Sequence, residues 1–99
     1  MRILHIATRV NWEAAQAGGL YSCASLASEG FIHCAKPDQL MHVLTRYFPS
    51  ALDHAILEID TELVKAEIRW EGAAETFPHI YGELNLDAVT RWKALWQAG

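Results

Sequence analysis

Ninety-nine residues suffice for one hydrophobic core but not two, so a single domain spanning 1–99 is expected. Apolar residues make up 52% and charged residues 20%, which excludes a disordered chain. A net charge of −4 excludes a broad nucleic-acid-binding face, and no stretch has the apolar length of a membrane span. Cys23 and Cys34 have no metal-ligand spacing and are too few for a disulfide framework. A reduced pair is expected, with a bridge closing the loop between them as the alternative. The opening Met1-Arg2 and its short apolar run do not read as a signal peptide, so the expectation is a cytoplasmic protein.

In chain order, Ile3 to Thr8 predicts a strand with apolar residues on both faces, hence an interior one. Asn11 is the expected N-cap of a short helix over Ala14–Ala17, with Glu13 in its first turn and Gly18-Gly19 ending it. Leu20 to Glu29 lacks periodicity and reads as a loop holding at most one helical turn. Phe31 to Cys34 predicts a second strand, and Pro37 opens a helix whose apolar face is Leu40, Met41, Leu44, Tyr47 and Phe48. Ala55 to Asp60 predicts a strand, followed by a turn at Asp60–Leu63. Glu67 to Glu71 alternates cleanly, burying Ile68 and Trp70, and Phe77 to Tyr81 predicts the next strand. Val89 to Leu95 reads as a last strand after a turn at Asp87, with a helix as the alternative. Strands outnumber long helices without regular crossovers, which predicts a mixed, largely antiparallel α+β domain.

Three histidines, His5, His33 and His79, lie on predicted strands with apolar flanks. Imidazole is suited to proton transfer near neutral pH, and burying several such rings without a use costs stability. No metal is expected, because no paired histidines at helical spacing, Cys-x-x-Cys or acidic cluster accompanies them. Arg9 follows the first strand, where it either holds a ligand phosphate near the helix start or is a solvated turn residue. Trp70 and Glu71 offer either an aromatic wall and a carboxylate, or a core residue and a solvent-facing one. Tyr81 is either a stacking partner or core. His33 and Cys34 are adjacent on a strand and point to opposite faces, which argues against a Cys–His dyad.

The motifs His5-Ile6-Ala7-Thr8, Ser28-Glu29-Gly30-Phe31-Ile32-His33-Cys34, Leu57-Glu58-Ile59-Asp60, Arg69-Trp70-Glu71 and Phe77-Pro78-His79-Ile80-Tyr81-Gly82 together resemble the bacterial family called domain of unknown function 952. The resemblance covers nearly the whole chain. That family is distantly similar to the ADP-ribosyltransferase-like fold, and most of all to tRNA 2′-phosphotransferases. The resemblance implies a small split sheet with two helices and NAD in the cleft of the split. In it His5 with Thr8 matches a first-strand histidine that contacts the nicotinamide ribose. His33 matches a second histidine near the nicotinamide, and Ile59-Asp60 an apolar strand ending in Asp. Glu71 is the candidate for the third catalytic element.

The function implied is an NAD- or ADP-ribose-related transferase or glycohydrolase, with His5, His33 and Glu71 catalytic. Thr8, Arg9, Trp70, His79 and Tyr81 are then the expected binding residues for NAD or a related small molecule. The alternative is a non-catalytic nucleotide-binding module that kept the pocket. A third reading is an interaction protein using Trp92 and Trp96.

Overall fold

Antiparallel pairing organises the molecule, whose computed structural model describes residues 1–97. The last two residues of the expected domain lie outside the described ones. The elements run β1 (Arg2–Thr8), α1 (Arg9–Gly18), β2 (Leu20–Tyr21), α2 (Ala24–Glu29), β3 (Ile32–His33) and α3 (Leu40–Tyr47). They continue with β4 (His54–Asp60), β5 (Glu67–Glu71), β6 (Phe77–Tyr81), β7 (Leu84–Asn85) and β8 (Val89–Ala94). Single 3-10 turns at Pro37–Gln39, Ala51–Asp53 and Leu86–Ala88 lead into α3, β4 and β8.

Two three-stranded sheets, β1-β4-β8 and β3-β6-β5, carry most of the strand residues, and β2 pairs with β7 beside them. Among the described residues, the backbones of the larger sheets pair at one point. Leu4 and Ala35 exchange two backbone hydrogen bonds of 2.8 Å across the free edge of β1. No further ladder joins the two sheets among the described residues, so the surface is split alongside His5. The core follows from strand periodicity: Ala55, Leu57 and Ile59 alternate inward on β4 while Ile56, Glu58 and Asp60 stay half-buried. Helix α1 lays Trp12 and Ala15, three residues apart on one face, onto this side together with Ile3, Ala7 and Tyr21.

The α+β class and its antiparallel sheets are as the sequence predicts, but several boundaries differ for local reasons. Thr8, not Asn11, caps α1: its hydroxyl accepts the Asn11 N–H at 3.2 Å, which places Arg9 inside the helix and Glu13 beyond its first turn. Three α-helices are present among the described residues rather than two. The additional one, α2, lies in the stretch read as a loop. Its periodicity is invisible because Leu26 is its only large apolar residue, and Gly30 closes it with φ near +90°. Strand β1 is an edge strand of its own sheet, and among the described residues the Leu4–Ala35 bridge is the backbone pairing on its far side. Trp70 is 40% exposed, because β5 is the outer strand of its sheet and its inward face is supplied by Ile68. The chain after Asp87 is a strand, as expected, with Val89 to Ala94 laid along β4.

The β5–β6 hairpin depends on Gly72. A Cβ there would stand 2.0 Å from the Glu75 carbonyl oxygen, and its φ of +154° is one that side chains rarely adopt. Gly72→Ala is expected to lower unfolding free energy by about 1–3 kcal/mol in a urea titration. A loss below about 0.5 kcal/mol would show that the hairpin does not need this backbone conformation.

Candidate functional site: a cleft at the split in the sheet

His5 stands on β1 where the two sheets part. Its Nδ1 lies 2.5 Å from the backbone carbonyl of His33 on the other sheet, and its Nε2 lies 2.6 Å from the Tyr21 hydroxyl on β2. A carbonyl oxygen can only accept, so Nδ1 carries the proton and Nε2 accepts from Tyr21. Both ring nitrogens are thereby satisfied, which a buried imidazole requires. Burial pushes the His5 pKa down to about 4, so the ring is neutral at physiological pH. The same burial, with Cys23 alongside, pushes the Tyr21 hydroxyl above its ordinary range. Neither group is poised to exchange a proton.

The other two histidines form the rim. His33 and His79 pair across β3 and β6, their rings 5.3 Å apart edge to face. Phe31 stacks on His79 at 4.1 Å and meets His33 edge-on at 4.8 Å, so one aromatic ring fixes both imidazoles. A carboxylate backs each histidine: Glu29 lies 2.8 Å from His33 Nε2, and Glu71 lies 3.0 Å from His79 Nδ1. Glu71 also accepts the Tyr81 hydroxyl at 2.5 Å, and that bond, then the one from His79, holds its carboxyl below the usual carboxylate range. With Nδ1–H given to Glu71, a neutral His79 keeps its lone pair on Nε2. That geometry suits a proton acceptor.

Between these groups lies a cleft of about 590 Å³. Tyr21, His5, His33 and His79 are among its lining residues. Leu4 and Ile6, which alternate with His5 on β1, line it together with Leu40, Val43, Tyr47 and Phe48. Helix α3 therefore turns Leu40, Val43 and Tyr47 to the cleft, whereas Met41 and Leu44 of the expected apolar face do not line it, and no residue of the helix is buried. Its start is fixed instead by Gln39, which is buried. The Gln39 amide donates to Glu75 at 2.9 Å and to the Thr76 carbonyl at 3.0 Å, and its oxygen accepts the Lys36 N–H.

The residues singled out in the sequence do not all meet. His5, Thr8, His33 and His79 line the cleft, although the Thr8 hydroxyl is engaged in capping α1. Glu71 and Tyr81 lie one layer behind His79. Arg9 points elsewhere, pairing with Glu13 at 3.2 Å and lying 4.9 Å over the Trp96 ring. Trp70, opposite Pro78, is not among the lining residues. Both cysteines are free, and both line the cleft; burial pushes the Cys34 thiol up, away from reactivity. Tyr21 and Gln39 were not legible as site residues. The one available signal for Tyr21 was a lone aromatic in a stretch of small residues. Among the described residues, no group of three or more His, Cys, Asp or Glu side chains is placed to hold a metal. No helix among them is long and apolar enough to cross a membrane.

The His5 environment has a pH signature. Unfolded, the ring takes a proton near pH 6.5; folded, only near 4. Its contribution is therefore complete above pH 6.5 and is lost as pH falls towards 4, a span of roughly 3 kcal/mol. His5→Gln is expected to flatten the fall in Tm over that interval relative to wild type. Equal falls in both proteins would show that His5 is not the group responsible.

The same architecture recurs in a solved bacterial protein. The crystal structure of protein CC0527 from Caulobacter crescentus superposes with a TM-score of 0.85 at 28% identity, covering 94% of this chain and 84% of that one. Its solution NMR structure gives a TM-score of 0.79 at 28% identity, over 93% and 82%. No curated protein matches the chain. Residues 6–92 match the family described as "protein of unknown function (DUF952)". That span begins one residue after His5 and takes in the rim histidines, α3 and strands β3 to β7, and the chain belongs to this family.

Proposed function

We propose that the cleft binds a small ring-bearing molecule of the nucleoside class, and that this binding is the core of the protein's function. The observation that carries the reading is the cleft itself. Its volume falls within the ordinary range for small-ligand sites, its walls are mostly apolar or aromatic, and a few polar groups converge in it. Tyr21 can accept a ligand hydrogen bond with its remaining lone pair, and Asn11 and Ser25 offer further polar atoms. The two free thiols fit a reducing, cytoplasmic setting.

A second reading is an enzyme of the ADP-ribosyltransferase-like kind, acting as transferase or glycohydrolase at the nicotinamide ribose of NAD. The split antiparallel sheet with histidines on both sides of the split supports it. So does His79, held by Glu71 in the tautomer of a general base. The lining suits only part of NAD. A heteroaromatic ring and a ribose match the aromatic and hydroxyl groups, but among the described residues no lysine or arginine lines the cleft to meet a pyrophosphate. His5, with both nitrogens engaged, is a positioning residue here.

Amide NMR titrations with nicotinamide, adenosine, ADP-ribose and NAD test both readings. Binding predicts saturable shifts at His5, Tyr21, His33, Val43 and His79 with at least one ring compound. No shifts at millimolar concentration would overturn it. If NAD is cleaved, His79→Ala is expected to slow nicotinamide release by about 10²–10⁴-fold. Unchanged turnover in folded His79→Ala would remove His79 from the chemistry.

A further inference from the structure

Resting on the reading of the cleft as a ring-binding site, the charge distribution narrows its ligand class: we infer that the site takes a neutral or cationic heteroaromatic ring and rejects anionic ones, phosphates included. The first observation is the composition of the wall. Among the described residues it contains no lysine, arginine, aspartate or glutamate, and its buried histidine is neutral. An anion entering it would lose hydration with no cation to replace it.

The second observation is where the nearby charges have gone. Arg9 is paired with Glu13 and covers Trp96, and Arg69 is paired with Glu67 at 3.1 Å and covers Tyr81 at 4.4 Å. Arg46 lies over the ring of the wall residue Tyr47, 5.6 Å from its centroid. Glu29 and Glu71 each sit directly behind a rim histidine, and Glu71 is held ionised. Carboxylates behind the rim histidines, with aromatic rings from Tyr21, Tyr47, Phe48 and Phe77 among the lining, form an environment suited to a delocalised cation.

Three probes of nearly the same shape separate charge from fit: nicotinamide, its N1-methyl cation, and the nicotinate anion. They are to be titrated at pH 8, above the ordinary imidazole range, with NAD as a fourth. The methyl cation is expected to bind at least as tightly as nicotinamide. Nicotinate is expected to bind about tenfold more weakly or worse, and NAD more weakly than nicotinamide. Ala24→Lys, which places an ammonium group at an exposed position of the lining, is expected to raise nicotinate affinity about tenfold. Nicotinate or NAD binding the wild type as tightly as the neutral ring overturns this inference while leaving the site itself standing. No binding of any probe overturns the ring-binding reading and this inference with it.

Discussion

The structure depends most on one neutral imidazole. His5 donates through Nδ1 across the split in the sheet and accepts through Nε2 from Tyr21, so three separate parts of the chain (β1, β3 and β2) are located by one ring. A neutral histidine is the side chain that can donate from one edge and accept at the other while filling an apolar space. Protonation would remove the acceptor and place a charge in a buried site. The low His5 pKa is the thermodynamic expression of that constraint.

The cleft follows from the constraint. With the two sheets joined at Leu4 and Ala35 and tied by His5, the space beyond the junction is walled by side chains rather than closed by another strand. Helix α3 covers it without packing into it, because Gln39 fixes the helix start to the β5–β6 loop by polar bonds instead of a buried apolar face. The rim histidines are then set by Phe31 and by their backing carboxylates. Structural and chemical roles are divided among the three histidines: His5 is locked, whereas His33 and His79 face the opening.

Much of the strand pattern was legible because alternation is a local property. Glu67–Glu71 and Phe77–Tyr81 appear in the structure with the bounds that their residues predict. The histidines were legible as a group because apolar flanks make a polar ring conspicuous. What could not be read was long-range. Arg9 follows a strand as a phosphate ligand would, yet the Thr8 cap turns it into α1 and towards Glu13 and Trp96. Trp70 alternates like a core residue, but its exposure depends on β5 being outermost, which only the sheet order decides. Tyr21 and Gln39 act through partners 16 and 36 residues away, and nothing local marks either.

The dependence of the fold on His5 is tested by the tautomer of its ring, read from long-range ¹⁵N–¹H NMR correlations between pH 8 and pH 5. A protonated Nδ1 and a lone-pair-bearing Nε2 are expected, unchanged across that range. An Nε2–H tautomer, or titration near the ordinary histidine value of about 6.5, would contradict that dependence and detach the cleft from the interaction on which it rests.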